Sequence, residues 1–174
     1  MMEKYLPKMY QESIYSIDYS KLLKKGIKFL LYDLDNTITT AHNYVPPKEA
    51  KELFVKLKKM GFEVMIFSNS PKIRLKKFTS FFEIEGVSSA RKPLPGKLRK
   101  LLREKGYDTK DTAIIGDQIM TDVKVGNKVG ITTILIKPIS DKDFLITKFN
   151  RFFENRKMKK LAKKKLFYKD RYYE

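Results

Sequence analysis

The sequence predicts a single α/β domain, a doubly wound three-layer sandwich built on a five-stranded parallel sheet. Through the middle of the chain, short apolar runs alternate with segments of helical periodicity, which is typical of parallel strands joined by crossover helices. The length of 174 residues corresponds to about one domain. Hydrophobic residues make up 42% of the chain, which is enough for a sizeable core.

Five short apolar segments are predicted to form the strands. The first is apolar at nearly every position, as expected for a strand that is covered on both faces. In chain order they are Ile27 to Tyr32, Phe62 to Phe67, Gly86 to Ala90, Thr112 to Ile115 and Ile131 to Ile136.

Four segments between these strands are predicted to form helices. The first opens at Pro46-Pro47, and its apolar residues recur at 3.6-residue spacing until Gly61. In the second, we expect Ser70 to cap a helix that has Pro71 in its first turn. The helices are Pro47 to Met60, Pro71 to about Phe81, Pro95 to Lys105 and about Met120 to Val129.

The two ends of the chain differ from this α/β core, which we place at residues 27–137. Residues 1–26 are predicted to form a helical lead-in, and residues 138–174 a basic amphipathic tail. Within the tail, the segment from Lys148 to Arg171 holds eleven Lys and Arg residues against two acids. Its apolar residues include Phe149, Phe152 and Phe153. This pattern predicts an amphipathic helix suited to an anionic surface.

Charge and composition restrict the classes of function. The net charge is +18, from 38 Lys and Arg against 20 Asp and Glu, which favours binding to nucleic acid or to an acidic lipid surface. A solvated, lysine-rich surface would give the same count. Cysteine is absent, which excludes disulfide scaffolds, thiolate metal sites and phosphatases that attack through a cysteine. Because neither a signal-peptide pattern nor an apolar run of ~20 residues is found, we expect a cytoplasmic protein.

Polar residues follow the carboxyl ends of the predicted strands, where open α/β sheets bind their ligands. They are Asp33, Asp35 and Thr37 after the first strand, Ser68 and Asn69 after the second, Lys92 after the third, and Asp117 and Asp122 after the fourth. We therefore expect these side chains to meet at one edge of the sheet.

This set of side chains suits phosphoryl transfer, in which catalysis depends mainly on positioning and electrostatic stabilisation. Carboxylates are hard oxygen ligands for Mg²⁺, and Asp33 and Asp117 can supply them. A carboxylate beside Mg²⁺ can also attack phosphorus, which makes Asp33 the candidate nucleophile. Asp35 is suited to protonate the leaving alkoxide and then to take a proton from water.

The other polar residues are candidates for binding the phosphoryl group. Ser68 can donate a hydrogen bond to a phosphoryl oxygen, helped by backbone N–H groups at the start of the following helix. Lys92 can neutralise negative charge, and the proline after it favours an extended conformation that presents its side chain. We expect Thr37 and Asn69 to contact the substrate beside them.

In order and type, these residues resemble the four motifs of the haloacid-dehalogenase (HAD) superfamily, and in particular its bacterial subfamily IIIA YqeG-type phosphatases. The motifs are Asp33-Leu-Asp35-Asn-Thr37, Ser68, Lys92 and Gly116-Asp117-Gln-Ile-Met-Thr121-Asp122. The resemblance implies that Asp33 is the nucleophile and a metal ligand, and that Asp35 is the acid/base whose backbone carbonyl binds Mg²⁺. It also implies that Asp117 holds the metal directly and that Asp122 supports it at the metal site.

No cap domain is expected over this site. Only nine residues, Ile38 to Pro46, separate the first motif from the next helix, and Ser68 and Lys92 are 24 positions apart. An open site resembles that of family members that act on phosphates presented by large or surface-bound molecules. YqeG-type sequences are also similar to phosphatidylglycerophosphate phosphatases, so we expect a lipid phosphate, reached by peripheral attachment of the tail to the inner face of the membrane.

Two other classes of function stay open. One is a phosphatase that acts on nucleic-acid ends or on a ribosome-associated partner, because the tail could bind phosphate backbones. The other is a non-enzymatic phosphoacceptor or RNA-binding module. A general acid such as Asp35 is needed for turnover and not for phosphoacceptance, which favours an enzyme. The tail could also be a solvated helix that packs on the sheet.

Overall fold

In the described part of the chain, six parallel strands form one central sheet. The computed structural model describes residues 3–140, 156, 158–163, 166–168 and 170–174. The strands are β1 Met9–Gln11, β2 Phe29–Tyr32, β3 Glu63–Phe67, β4 Glu85–Val87, β5 Thr112–Gly116 and β6 Thr132–Ile136. They are ordered β1-β6-β5-β2-β3-β4 in the sheet. This confirms the predicted α/β fold with a parallel sheet.

Helices cover both faces of the sheet and complete the three layers. They are α1 Tyr19–Lys24, α2 Lys48–Lys59, α3 Lys72–Phe82, α4 Gly96–Lys105 and α5 Lys124–Val129. A π-helical turn, Ile119–Val123, leads directly into α5. On one face, Leu30 and Ile66 pack with apolar residues of α1, α2 and α3. On the other face, Leu31 and Phe67 pack with residues of α4 and α5. Alternate residues of the strands therefore enter two separate cores.

The prediction of five strands was wrong, because part of the lead-in that was predicted to be helical is a sixth strand. Met9–Gln11 pairs with β6 at the edge of the sheet, with Met9 opposite Ile134, and all three of its residues are buried. The lead-in also supplies the short helix α1, which Asp18 caps by accepting a hydrogen bond from the Lys21 N–H. Residues 3–26 are therefore part of the packed domain.

The start of α3 also differs from the prediction. The N-cap of α3 is Pro71, whose backbone is extended, and no side chain caps the helix. Ser70 does not cap the helix, because its hydroxyl donates a hydrogen bond to Asp35. Ser70 therefore belongs to the group of polar side chains at the carboxyl edge of the sheet, and not to the cap of α3.

The described part of the tail packs on the edge of the sheet. Leu161 and Phe167 are buried beside Tyr10 of β1, and the backbone of Tyr173 pairs with that of Tyr10 through hydrogen bonds of 2.8 and 2.9 Å. The apolar tail residues Phe149, Phe152 and Phe153 lie outside the described residues. Within the part of the chain that is described, none of the helices is both long and apolar enough to span a bilayer.

Candidate active site

Three buried aspartates meet at the carboxyl edge of the sheet. β2 and β5 are neighbours, and the backbone N–H of Asp33 donates to the carbonyl of Ile115 at 2.9 Å. Asp33 follows β2, whereas Asp117 follows β5 and Asp122 lies in the π-helical turn. One oxygen from each of the three carboxylates lies within 4.8 Å of the others. The predicted convergence of these three acids is therefore present.

Lys92 neutralises part of this negative charge. Its Nζ lies 2.7 Å from Asp33 Oδ1 and 2.5 Å from Asp122 Oδ1, and its side chain is 2% exposed. Burial alone would lower the pKa of Lys92, but Asp122 and Asp33 outweigh it and hold that pKa above its ordinary value. Burial raises the pKa of Asp122, and the charge of Lys92 opposes that shift. Lys92 is therefore charged at neutral pH and lies between two carboxylates.

Asn69 fixes the backbone of Lys92. Its amide Oδ1 accepts a hydrogen bond from the Lys92 N–H at 2.8 Å, and its Nδ2 donates to the Lys92 carbonyl at 3.1 Å. The peptide bond between Lys92 and Pro93 is cis. The sequence predicts a substrate contact for Asn69. In the structure, the amide of Asn69 holds the backbone of Lys92 in position, and the substrate contact stays a prediction.

Gly116 allows Asp122 to approach the end of β5. A Cβ atom at this position would overlap the carboxyl group of Asp122. The same carboxylate accepts a hydrogen bond from the Gln118 N–H at 3.2 Å through Oδ2. The glycine of the Gly-Asp pair is therefore required by side-chain packing at the site, since nothing larger than hydrogen fits there.

Asp35 lies beside this cluster and has its own partners. Its Oδ1 accepts hydrogen bonds from Arg74 Nε at 3.0 Å and from Arg74 Nη2 at 2.7 Å. Its Oδ2 accepts one from the Ser70 hydroxyl. Arg74 also donates to the carbonyls of Thr40 and Asn43, so it ties the loop after β2 to the first turn of α3. All of these donors hold Asp35 in one orientation.

The surroundings of Asp35 pull its pKa in two directions. Burial raises the pKa above its ordinary value, and the nearby Asp33 carboxylate raises it further. The hydrogen bonds from Ser70 and Arg74 oppose this change, and the net shift is upward. A carboxyl group with a raised pKa is more readily protonated, which is the property that a general acid needs.

The remaining predicted residues lie around these two clusters. Ser68 is buried, donates to Ser70 Oγ at 3.1 Å and accepts from the Ser70 N–H at 3.2 Å. The Thr37 hydroxyl is buried and has no hydrogen-bond partner among the described residues. A phosphoryl oxygen would satisfy that hydroxyl.

Sequence reasoning missed Ser70 and Arg74. Ser70 was assigned only to a helix cap, and Arg74 is one of 38 basic residues. One signal could have identified Arg74. It shares the buried face of α3 with Phe78 and Phe82 at i, i+4 spacing, and a buried arginine needs an anionic partner.

The three-aspartate cluster fits a divalent metal ion such as Mg²⁺. Its donors are carboxylate oxygens, which hard cations prefer, and all three residues are buried. Lys92 contributes one positive charge against these three carboxylates, which leaves net negative charge for a cation. Asp35 is outside this cluster, because its carboxylate is held by Arg74 and Ser70.

Comparison with known proteins supports the fold and identifies the family. Residues 89–138 match the HAD-hydrolase-like family model. The cobalt-bound deoxy-D-mannose-octulosonate 8-phosphate phosphatase of Haemophilus influenzae superposes with a TM-score of 0.51 at 16% identity, covering 84% of this chain and 95% of that one. The fold and the site together define a phosphatase of the HAD superfamily, a phosphoric monoester hydrolase.

A relative that aligns with nearly the whole chain shows which family within the HAD superfamily the protein belongs to. The protein named "Probable phosphatase YqeG" of Bacillus subtilis is 34% identical over 165 residues, covering 94% of this chain and 96% of the relative. The chain belongs to this YqeG-type family. A second relative, phosphatidylglycerophosphate phosphatase 1 of Arabidopsis thaliana, is 24% identical over 84% of this chain, which spans 45% of that protein.

Proposed function

We propose that the enzyme hydrolyses phosphomonoesters in two steps through a phosphorylated Asp33, with Mg²⁺ as its cofactor and a lipid-linked phosphate as its substrate. The observation that carries the mechanism is the separation of two kinds of carboxylate. Asp33 is grouped with Lys92, Asp117 and Asp122, whereas Asp35 is held apart by Arg74 and Ser70. One group suits a nucleophile beside a metal, and the other suits an acid/base.

In the first step, an oxygen of the Asp33 carboxylate attacks phosphorus, and the bond from phosphorus to the leaving oxygen breaks. Protonated Asp35 gives its proton to that oxygen, so the alcohol leaves uncharged. Lys92 stays against Asp33 at 2.7 Å and stabilises negative charge on the phosphoryl oxygens. Thr37 and Ser68 are proposed to donate hydrogen bonds to the same oxygens.

In the second step, the Asp35 carboxylate removes a proton from water, whose oxygen attacks phosphorus. The bond from phosphorus to Asp33 then breaks, which releases inorganic phosphate and restores both carboxyl groups. Arg74 and Ser70 keep Asp35 oriented through both proton transfers. Asp33, Asp117 and Asp122 would hold Mg²⁺, which when bound supplies positive charge to the phosphoryl group.

The lipid substrate is supported by two further observations. The Arabidopsis relative is named for phosphatidylglycerophosphate. No inserted domain covers the carboxyl edge in residues 3–140, because only loops and the starts of helices lie there. An uncovered site can reach a phosphate on a lipid headgroup while the acyl chains remain in the bilayer.

The test is an assay of the purified protein, with Mg²⁺ or with chelator, on phosphatidylglycerophosphate, nucleotides and sugar phosphates. We expect Mg²⁺-dependent hydrolysis with the highest kcat/KM on the lipid. Asp33→Asn should lower kcat by at least about 10³-fold, because a carboxamide is a poor nucleophile. Wild-type turnover in that variant would refute the mechanism. Preference for a nucleotide or nucleic-acid end would refute only the lipid assignment.

A further inference from the structure

Large apolar side chains are exposed around the mouth of the candidate active site. Six of them lie in the loops or first helical turns at the carboxyl edge of the sheet. We call five of these the apolar rim: Tyr44, Val45, Ile73, Leu94 and Ile139, each more than half exposed. The sixth, Tyr15, lies in the loop after the edge strand β1. Ile73 is the extreme case, with 87% of its surface exposed. Exposed aliphatic side chains grouped around a site indicate a surface that is covered in use.

Two rim residues contact residues at the site, and two others lie close to site residues along the chain. The guanidinium carbon of Arg74 lies 4.8 Å from the centre of the Tyr44 ring, and Ile73 immediately precedes Arg74. The backbone N–H of Ile139 donates to the carbonyl of Asn36 at 3.1 Å, next to Asp35. Leu94 is two residues after Lys92, and its N–H donates to the Arg91 carbonyl at 2.8 Å. The rim therefore borders the site on several sides.

The charges around the rim are those expected of a surface that meets anions. The loops at residues 33–47, 68–71, 88–95 and 137–140 carry Asp33 and Asp35 of the site as their only acids. Lys72 and Arg91 are exposed in or beside these loops. Glu49, in the first turn of α2, is exposed nearby. The other acids at this edge are Asp117 and Asp122 of the site, which are buried, and Glu12 and Asp18, which are exposed in the loop after the edge strand β1.

We propose that the apolar rim docks the carboxyl edge of the sheet on an anionic lipid bilayer, so that a headgroup phosphate reaches Asp33 from the membrane plane. This rests on the lipid substrate of the proposed function and adds the surface and orientation of docking. Tyrosine and aliphatic side chains insert at the interface, while Lys72 and Arg91 remain near the anionic headgroups. A nucleic-acid partner would account for the exposed Lys72 and Arg91. It would not account for the exposed aliphatic residues Val45, Ile73 and Leu94, whose side chains neither stack on bases nor donate hydrogen bonds.

The experiment compares two double variants, each of which replaces two exposed aliphatic side chains with serine and changes no charge. Ile73→Ser with Leu94→Ser alters the rim, whereas Leu23→Ser with Val55→Ser alters exposed apolar residues of α1 and α2. Full-length proteins are sedimented with vesicles of phosphatidylcholine and phosphatidylglycerol, without substrate, at several salt concentrations. Hydrolysis of a soluble aryl phosphate is measured in parallel.

We expect the rim variant to bind these vesicles about tenfold or more weakly than wild type, because it loses two inserting side chains. The control variant should bind like wild type, and both should keep wild-type hydrolysis of the soluble ester. Wild-type binding should weaken with added salt. Equal vesicle binding by the two variants, or absence of wild-type binding, would overturn the proposal.

Other outcomes separate the docking surface from its alternatives. A wild-type dimer that becomes monomeric only in the rim variant would assign the rim to a second copy of the chain and overturn bilayer docking. Loss of RNA binding with unchanged vesicle binding would overturn it in favour of nucleic acid. Vesicle binding that depends on the rim in a protein without phosphatase activity would support docking while refuting the proposed function.

Discussion

At the residue scale, Asp33 and Asp35 are distinguished by their cationic partners. Asp33 contacts Lys92, which it shares with Asp122. Asp35 contacts Arg74, whose guanidinium donates two hydrogen bonds to a single carboxylate oxygen. The ammonium group of a lysine is a compact charge, whereas the planar guanidinium of an arginine also fixes the orientation of the carboxylate that it binds. Asp35, the residue proposed to transfer protons, is thus held by the more directional partner.

Arg74 is expected to act on catalysis through Asp35. Arg74→Met should lower kcat on an alkyl phosphate by about tenfold, the size of a coupling energy of ~1.4 kcal/mol between contacting residues. In an Asp35→Asn background the same change should have little further effect, because the group that it orients can no longer transfer a proton. Steady-state kinetics of the four proteins measures the coupling. Equal fold losses in both backgrounds would show that Arg74 acts elsewhere.

The sequence predicted the acids of this site better than their supporting residues. Asp33 and Asp117 each follow a strand that is recognisable by its apolar run, so their convergence follows from parallel topology. Lys92 follows the weakest predicted strand, Gly86 to Ala90, which is Glu85–Val87 in the structure. The contact between Arg74 and Asp35 spans 39 positions and depends on how α3 packs against the loop after β2. The sequence pattern around either residue does not indicate such a long-range contact. Arg74 is also hard to single out, because the chain contains many other basic residues.

At the element scale, the junction of β5 with the π-helical turn depends on Gly116. Gly116→Ala should destabilise the fold and reduce activity, because the added methyl group overlaps the Asp122 carboxyl group. Overpacking of this kind typically costs about 1–3 kcal/mol. The matched control is Gly96→Ala in the first turn of α4, where an added Cβ meets nothing within 4 Å. Denaturant unfolding and aryl phosphatase assays measure both effects, and equal behaviour of the two variants would contradict the packing argument.

The described end of the tail is expected to stabilise the edge of the sheet. Phe167 is buried beside Tyr10, whereas its neighbour Leu166 is 46% exposed. Phe167→Ala should lower the free energy of unfolding by about 3–5 kcal/mol, while Leu166→Ala should change it by about 0.5 kcal/mol or less. Thermal or denaturant unfolding distinguishes them. Similar small changes in both variants would mean that this part of the tail is only loosely attached.

The strand β1 shows why the lead-in was mispredicted. Met9–Gln11 has three residues, too few to display a period of two, and polar Gln11 ends it. Its extended form is stabilised by pairing with β6, about 125 positions away, and by the backbone of Tyr173 on its other side. A longer strand, such as the one predicted at Ile131 to Ile136, contains enough apolar residues to be identified from its own sequence. A three-residue edge strand such as β1 does not.

At the scale of the whole molecule, metal binding should be linked to folding. The cluster of three aspartates exists only in the folded chain, because its members come from positions 33, 117 and 122. Mg²⁺ at about 100 times its Kd should therefore add about 2.7 kcal/mol to the free energy of unfolding. The expected rise in Tm is about 2–4 °C for each kcal/mol.

Asp117→Ala should lose most of this Mg²⁺-dependent stabilisation, because it removes a proposed ligand. Lys92→Ala removes a positive charge and no ligand, so Mg²⁺ should still raise its Tm. Thermal scans across a Mg²⁺ titration measure both variants. A wild-type titration curve in Asp117→Ala would remove that residue from the metal site, even if Lys92→Ala proved too unstable to compare.

Formation of a covalent phosphate on Asp33 is tested most directly by trapping it. Asp35→Asn should react with an activated aryl phosphate and Mg²⁺, because that leaving group needs little protonation, but should hydrolyse the intermediate slowly for lack of a base. Acid quenching, digestion and mass spectrometry should then find one phosphoryl group on Asp33. The double variant Asp33→Asn with Asp35→Asn should carry none. Release of the aryl alcohol without phosphate on Asp33, or with phosphate on Asp117 or Asp122, would contradict the mechanism.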